Sequence, residues 1–254
     1  MDRAKMIEMV GRVPVLGSAL RKFARRYPEG SVVEIRSGVA AGMRWKRYHT
    51  YVNGFWLGHY ELGIQQLLER ELKSGETFFD VGANAGFFTL VSAKLVGPSG
   101  RCVAFDPSPE NDRVIREQLE LNGLSNCVSV QKAVGARAET AMFAFPEPGS
   151  SVGHLGAAGQ GEQSIEVQVI TLDEAAREYG RPDFIKLDVE GADIEAVRGA
   201  AGLLSGARPR WLIELHTDEC QRELGRMLAE ANYEIWDLEP AKELPKHILA
   251  KPRR

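Results

Sequence analysis

The sequence predicts an α/β fold built on a doubly wound, mostly parallel sheet. From residue 76 onward, short apolar segments alternate with amphipathic ones: TFFDV precedes AGFFTLVSAKLV, and RCVAFD precedes SPENDRVIREQLELNG. Apolar strands that alternate with amphipathic helices indicate a parallel sheet with helices on both faces. A glycine-containing turn, DVGANAG, joins the first strand to its helix. In open α/β sheets, ligands bind beside such turns at the carboxyl ends of the strands.

Length and composition indicate one large α/β domain with an appendage. The chain has 254 residues, of which 44% are hydrophobic, and a formal net charge of -3. This hydrophobic share is ordinary for a protein with a buried core. The negative charge argues against a nucleic-acid partner, because phosphate binding favours a basic surplus. The three cysteines form no metal-ligand pattern and predict free thiols in a reducing compartment, taken to be the cytoplasm.

Residues 1–60 are predicted to form an N-terminal appendage, and residues 61–254 the main domain. The segment SVVEIRSGVAAGMRWKRY predicts two short strands, and ELGIQQLLERELK has the apolar spacing of a helix. No apolar run reaches the roughly 18 residues that a membrane span needs. The basic start of the chain predicts either a helix packed on the domain or weak peripheral contact with a membrane through residues 1–27.

The remaining segments extend the alternation to the end of the domain. CVSVQKAV is predicted as the third strand, finishing at Ala133, and TAMFAF and SIEVQVIT as strands around a glycine-rich loop near residues 147–163. FIKLDV and PRWLIELH are predicted as the next two strands, each followed by a helix, and YEIWDLE as the final strand. The glycine-rich loop is short enough to cover a binding site.

The turn after the first strand carries the strongest ligand signal. Asp80 ends the strand, and Gly82 and Gly86 allow a sharp turn into the next helix. A dinucleotide fingerprint would need glycine where Asn84 and Phe87 stand. The loop is therefore poor for a pyrophosphate, which favours the phosphate-free nucleoside S-adenosylmethionine (AdoMet) over NAD.

Asp106, in AFDPSPEN, ends the second strand. A carboxylate at this point can accept hydrogen bonds from both ribose hydroxyls of a bound nucleoside. The alternative is a residue that only favours the dipole of the following helix. Ala133, at the predicted end of the third strand, is interpreted either as an adenine contact or as strand packing.

Acidic and imidazole groups follow the next two strands. Asp188 and Glu190 lie two residues apart after FIKL, and Glu214 and His216 do the same in IELH, so each pair shares a face. An imidazole there suits a general base, although a structural role for His216 is equally open. These four side chains could also hold a divalent ion, but no dedicated metal motif is present, and no metal is predicted.

At this point the sequence resembles the FkbM family of AdoMet-dependent O-methyltransferases. DVGANAGFFTL, AFDPSPEN, KAVG, TLDE, IKLDVEGADIEAVRGA and IELH occur in the family's order over roughly residues 60–216. The resemblance implies the Rossmann-like class I methyltransferase fold, with a seven-stranded sheet whose last strand is antiparallel. It also implies methyl transfer to a hydroxyl of a sugar, glycolipid or polyketide-like natural product. The family typically has Asn at position 84 and more often Glu at position 106.

Together, these arguments predict a site of three parts. The predicted catalytic residues are His216, Asp188 and Glu190. The predicted AdoMet-binding residues are Glu61, Asp80, Gly82, Ala83, Asn84, Gly86, Phe87, Asp106, Pro107, Ser108, Ala133 and Asp188. The predicted acceptor-binding residues are Ser150, Ser151, His154 and Trp56.

Several alternatives to this function stay open. A protein that binds AdoMet without catalysis and an NAD-dependent oxidoreductase are the rivals from other classes. Base methylation is disfavoured, because LDVEG stands where many amino-group methyltransferases carry an Asn/Asp-Pro-Pro-aromatic motif. The sequence does not determine the oligomeric state.

Overall fold

The computed structural model describes residues 27–51, 54–146 and 153–253. Strands and helices are numbered in chain order over these residues. The strands are β1 (Val32–Glu34), β2 (Arg44–Lys46), β3 (Thr77–Val81), β4 (Arg101–Phe105), β5 (Cys127–Val130), β6 (Ala133–Val134), β7 (Glu139–Phe145), β8 (His154–Leu155), β9 (Gln163–Ile170), β10 (Phe184–Leu187), β11 (Arg210–Leu215), β12 (Tyr233–Asp237) and β13 (Lys246–Pro252). The helices are α1 (Leu62–Glu71), α2 (Phe87–Val96), α3 (Pro109–Leu121), α4 (Leu172–Tyr179), α5 (Asp193–Arg198), α6 (Ala201–Ser205) and α7 (Asp218–Glu230).

The main sheet has seven strands in the order β12-β13-β11-β10-β3-β4-β5. Strands β5, β4, β3, β10 and β11 are parallel, whereas β13 runs antiparallel to both of its neighbours. This confirms the doubly wound fold and the antiparallel last strand. The strand order reverses between β3 and β10, because the chain moves outward to β5 and then returns beside β3. Ligands bind at such a switch point, outside the carboxyl ends of the strands.

Three sequence-based boundaries are wrong. The third strand ends at Val130, and Ala133 begins β6, which belongs to a second sheet of order β6-β9-β7-β8. A turn separates the two, since the N–H of Lys132 donates to the carbonyl of Val130. The glycine-rich loop contains the short strand β8, and YEIWDLE is followed by a further strand, β13, which sequence analysis missed. Its apolar run HILA is short and lies between two prolines, so it resembles a loop.

The appendage packs into the same apolar core as the main domain. Strands β1 and β2 pair as the predicted antiparallel ribbon. Trp45, Tyr51 and Phe55 are buried with α1 and α2 on one face of the sheet. The rings of Trp45 and Phe87 lie 6.1 Å apart, and those of Phe55 and Phe87 stack at 5.3 Å. The aromatic side chains of the appendage therefore hold it against the helix that follows the glycine loop.

The segment with the predicted membrane contact, residues 1–27, lies outside the described residues except for Tyr27. Tyr27, at the edge of this segment, stacks its ring on the guanidinium of Arg47 at 3.5 Å. Across the described ranges, none of the helices has both the length and the apolarity needed to cross a bilayer.

Candidate active site

Two adjoining cavities lie outside the carboxyl ends of β3 and β10. The larger has a volume of about 230 Å³ and the smaller about 70 Å³. Gly82, Asn84, Asp188 and Glu190 line both of them. The glycine loop and the end of β10 therefore separate one continuous crevice into two compartments, at the switch point that the sheet order defines.

The glycine loop needs its small residues because the backbones approach closely. Gly82 has φ 82°, and a Cβ there would lie 1.9 Å from the carbonyl oxygen of Asp188. Gly86, with φ 83°, is the residue before α2, and a Cβ there would lie 3.3 Å from Ile115 Cγ1. Asn84 has φ 50° and donates its N–H to Asp106 Oδ2 at 2.9 Å. Asparagine adopts such a left-handed conformation more readily than most residues, so it stands in for glycine here.

Asp106 is a buried carboxylate at the smaller cavity. Its Oδ1 accepts hydrogen bonds from the Ser108 N–H at 3.0 Å and from Asn111 Nδ2 at 2.9 Å. Burial raises the pKa of Asp106 to about 7, although these donors and the Asn84 N–H oppose the rise. A carboxylate has about four lone-pair sites, so it can still accept from ribose hydroxyls beside its protein donors.

Asp80 lies fully buried under the larger cavity. Its Oδ2 accepts a hydrogen bond from Thr89 Oγ1 at 2.6 Å, whereas its Oδ1 has no partner within the described part of the chain. Burial raises the pKa of Asp80, and the ammonium of Lys186 opposes this. A buried acceptor without a donor is costly, so Asp80 favours a donor or a cation in the cavity above it.

His216 lies among four carboxylates at the larger cavity. Its Nε2 is 3.6 Å from Asp188 Oδ1, 3.7 Å from Glu190 Oε1 and 4.0 Å from Glu214 Oε2. Its Nδ1 is 3.7 Å from Asp193 Oδ2. Burial alone would lower the pKa of the imidazole, but the surrounding carboxylates, with Asp193 first, raise it to about 9. Without a bound ligand, the imidazole of His216 is therefore cationic at neutral pH.

The carboxylates around His216 differ in their ionisation. Burial opposes the charge of Asp188, yet the ammonium of Lys186, 2.8 Å from Oδ2, holds the pKa of this carboxyl below its usual value. Burial raises the pKa of Glu190, and His216 opposes the rise. Burial also raises the pKa of Glu214 to about 8, with like charge from Asp188 and Glu61 adding to it. Of these three carboxyl groups, Asp188 is thus the one whose pKa the site lowers, which favours its charged form.

The structure brings most of the predicted residues to the crevice. Asp106, Pro107 and Ala133 line the smaller cavity, and Asp80, Ala83, Phe87, Glu61 and His216 the larger one. Five predicted residues have other positions or are not described. Gly86 and Ser108 lie outside both linings and shape the starts of α2 and α3, and Trp56 also lines neither cavity. Ser150 and Ser151 fall outside the described residues.

Three residues of the site were missed or placed differently by sequence analysis. Lys186, only 3% exposed, pairs with Asp188, and its charge inside the apolar strand FIKL was the available signal. His247, 4% exposed, comes from the missed strand β13, and no local signal marks it. His154, predicted to contact the acceptor, lies in the smaller cavity with Asp106.

The donor set of the crevice suits AdoMet. Asp106 is a buried carboxylate whose lone pairs suit ribose hydroxyls, and Gly82 lets the loop backbone pack directly against the carbonyl of Asp188. The larger cavity is rich in carboxylates, and its one ammonium, from Lys186, is already paired with Asp188. Such a cavity favours the cationic sulfonium and ammonium of AdoMet over the pyrophosphate of a dinucleotide.

The fold and this site together define a class I methyltransferase that uses AdoMet. Residues 80–242 match the family model described as the Methyltransferase FkbM domain. The chain therefore belongs to the FkbM methyltransferase family.

Individual relatives and structures agree with this assignment. The chain is 24% identical over 175 residues to the hexuronic acid methyltransferase AglP of Haloferax volcanii, an alignment that covers 67% of this chain and 69% of AglP. It is 26% identical over 160 residues to the methyltransferase sdnD of Sordaria araneosa, covering 50% of this chain and 61% of sdnD. The crystal structure of methyltransferase FkbM from Methylobacillus flagellatus superposes with a TM-score of 0.52 at 15% identity, covering 95% of this chain and 60% of that one.

Proposed function

We propose that the protein transfers the methyl group of AdoMet to a hydroxyl of a small molecule of the sugar, glycolipid or polyketide type. The observation that carries the proposal is the imidazole of His216, set beside Asp188 in a cavity that adjoins the Asp106 compartment. The name of the relative AglP, a hexuronic acid methyltransferase, supports a sugar-derived acceptor.

In this proposal, the smaller cavity takes the nucleoside. Asp106 accepts the ribose hydroxyls, and Ala133 and His154 line the same space beside the adenine. The glycine loop and Asp80 face the methionine part from the larger cavity. A carboxylate under that cavity attracts the ammonium and sulfonium charges, because opposite charges in a buried site are weakly screened.

AdoMet, when bound, supplies a methyl group that its sulfonium activates, and the electron pair of the broken C–S bond remains on sulfur. The chain must hold the acceptor oxygen in line with that bond and remove the hydroxyl proton. We assign the proton to Nε2 of His216, with Asp188 and Glu190 orienting the ring. A cation bound in the same cavity opposes a second positive charge, so it lowers the pKa of His216 from about 9 and favours the neutral imidazole.

A turnover assay with matched variants tests this proposal. The readout is S-adenosylhomocysteine released with sugars, uronic acids and hydroxylated polyketides as acceptors. His216→Asn is expected to lower turnover about 100-fold or more, as expected for loss of a general base, while calorimetry shows AdoMet affinity within about threefold of wild type. His49→Asn changes an exposed histidine outside both cavities and should leave both quantities unchanged.

Two outcomes contradict the proposal. Equal losses of AdoMet affinity and turnover in His216→Asn would make this histidine structural. AdoMet binding without release of S-adenosylhomocysteine with any hydroxyl acceptor would favour a binding protein that lacks catalysis.

A further inference from the structure

A second histidine, His247, lies beside two carboxylates that line the larger cavity, Glu61 and Glu214, and outside the proposed methyl-transfer machinery. Antiparallel pairing of β11 with β13 sets Glu214 directly opposite His247. Glu61 comes from the turn before α1 and has the left-handed φ of 41°. His247 Nε2 lies 3.8 Å from Glu61 Oε2 and 3.8 Å from Glu214 Oε2. Three parts of the chain thus converge on one point.

The imidazole of His247 directs its Nε2 atom to the two carboxylates. Its Nδ1 lies 3.0 Å from Glu239 Oε2, and its backbone N–H donates to the same oxygen at 3.0 Å. A carboxylate only accepts, so Nδ1 donates its N–H to Glu239, and Nε2 is the ring nitrogen that faces Glu61 and Glu214. His247 is 4% exposed, and its Nε2 has no hydrogen-bond partner among the residues that the structure describes.

Glu61 Oε2 is likewise buried and has no hydrogen-bond partner among the described residues. Two buried polar atoms therefore face each other 3.8 Å apart, which is too far for a hydrogen bond. Leaving such groups buried and unpaired is costly. A cation between them would engage both atoms at once.

We propose that Glu61, Glu214 and His247 bind a divalent metal ion, with Glu239 orienting the imidazole. The three ligand atoms lie within 4.8 Å of one another. Ions such as zinc bind imidazole nitrogen and carboxylate oxygen at about 2.0–2.2 Å, which places tetrahedral ligand atoms about 3.4 Å apart. The 3.8 Å separations need to contract by only a few tenths of an ångström. A carboxylate bound to the far nitrogen of a metal-binding histidine is the usual second partner of such a ligand.

A neighbouring donor set is a weaker candidate. Asp188, Glu214 and His216 also converge within 4.8 Å. However, the ammonium of Lys186 lies 2.8 Å from Asp188 and already supplies the positive charge. At the first set of ligands, the described residues place no lysine or arginine within 4.0 Å of Glu61, and both Glu61 Oε2 and His247 Nε2 lack a hydrogen-bond partner.

Ligand chemistry and position indicate which ion binds and what it does. Two carboxylates and one imidazole suit Mn²⁺, Fe²⁺ or Zn²⁺, because imidazole is a poor ligand for Mg²⁺ and Ca²⁺. Glu61 and Glu214 line the larger cavity. Three protein ligands leave coordination positions on the ion open. These open positions would face the oxygen atoms of the methyl acceptor, and this role of the ion rests on the proposed function.

Metal titration without any acceptor tests the site. The full-length chain is stripped with a chelator and titrated with Mn²⁺, with unbound Mn²⁺ followed by electron paramagnetic resonance, and then with Zn²⁺ and Mg²⁺ by calorimetry. Wild type is expected to bind Mn²⁺ and Zn²⁺ at a single site and Mg²⁺ much more weakly. Glu239→Gln is expected to weaken Mn²⁺ binding about 10–100-fold, and Glu61→Gln and His247→Ala at least as much.

Matched controls separate this site from its neighbours. Glu166→Gln and His49→Ala change exposed residues outside both cavities and should retain wild-type affinity for Mn²⁺. Circular dichroism melts confirm folding of each variant, and the isosteric Glu61→Gln decides the question where His247→Ala does not fold. If Mn²⁺ binds but no methyl transfer to hydroxyl acceptors is detected, the metal site is supported and only the proposed function is refuted.

Three results would overturn the metal site. The first is a wild-type chain that binds neither Mn²⁺ nor Zn²⁺. The second is loss of Mn²⁺ binding in His216→Asn but not in His247→Ala, which would place the ion at the neighbouring donor set. The third is weaker AdoMet binding by Glu61→Gln than by wild type when both chains are metal-free. This result would assign Glu61 and Glu214 to binding of the AdoMet ammonium.

Discussion

Gly82 is the position where the smallest change should disturb the crevice most. An added Cβ would lie 1.9 Å from the carbonyl oxygen of Asp188, so the two backbones must separate by about 1 Å. The neighbouring hydrogen bond from the Asp188 N–H to the carbonyl of Val81, now 3.0 Å long, lies in the path of that shift. Gly82→Ala is therefore expected to affect folding and AdoMet binding together.

The expected cost has two parts. An alanine at the φ of 82° costs about 1–2 kcal/mol, and overpacking against a rigid neighbour costs about 1–3 kcal/mol. A total near 3 kcal/mol lowers the melting temperature by about 6–12 °C for a chain of this size. The displaced loop should also weaken AdoMet binding by about tenfold or more, since 1.4 kcal/mol corresponds to a factor of ten.

Gly42→Ala is the matched control for this substitution. Gly42 has a similar φ of 86°, but a Cβ there meets no atom within 4 Å. The Gly42→Ala variant should lose only the conformational part of the free energy of unfolding, about 1–2 kcal/mol, and should keep its AdoMet affinity. Urea denaturation and calorimetric titration measure the two quantities. Equal losses of stability and unchanged AdoMet affinity in both variants would refute the close-approach argument.

Three further predictions concern the base, the ribose contact and the appendage. A general base must lose its proton to act, and the pKa of His216 is raised to about 9. Turnover should therefore increase as the pH rises from about 6 towards the pKa of His216 in the AdoMet complex, and then level off. Release of S-adenosylhomocysteine at saturating AdoMet measures this profile. Asp106→Asn should weaken binding of S-adenosylhomocysteine about 10–100-fold in calorimetry, because hydrogen bonds to a charged group contribute about 1.5–3 kcal/mol. Trp45→Ala, at a side chain only 1% exposed, should lower the free energy of unfolding by about 3–5 kcal/mol in urea.

Each of these predictions has a contrary result. A pH profile in His216→Asn that matches wild type would remove this imidazole from proton transfer. Unchanged affinity in Asp106→Asn, or calorimetric heat with NAD in place of AdoMet, would contradict the assignment of the smaller cavity. For the appendage, Trp236→Ala is the control, since Trp236 is 38% exposed. Equal destabilisation of the two tryptophan variants would mean that the appendage is not part of the core.

Local sequence features predicted the fold and one half of the site. The glycine loop, Asp106 and the alternation of strands and helices depend on backbone conformation and apolar spacing over short stretches, so they can be identified from the sequence. Asp188 and His216 were also predicted near one another, because parallel strands end at the same edge of a sheet. The structure places them 3.6 Å apart.

The other half of the site depends on contacts between distant parts of the chain. Strand β13 inserts between β11 and β12, and only this pairing sets His247 opposite Glu214. The turn before α1 then brings Glu61 to the same point. Short apolar runs such as HILA become strands only when neighbouring strands satisfy their backbone groups. The sequence by itself therefore determined the fold class and the Asp106 end of the crevice, whereas tertiary packing decided which charged groups meet at its other end.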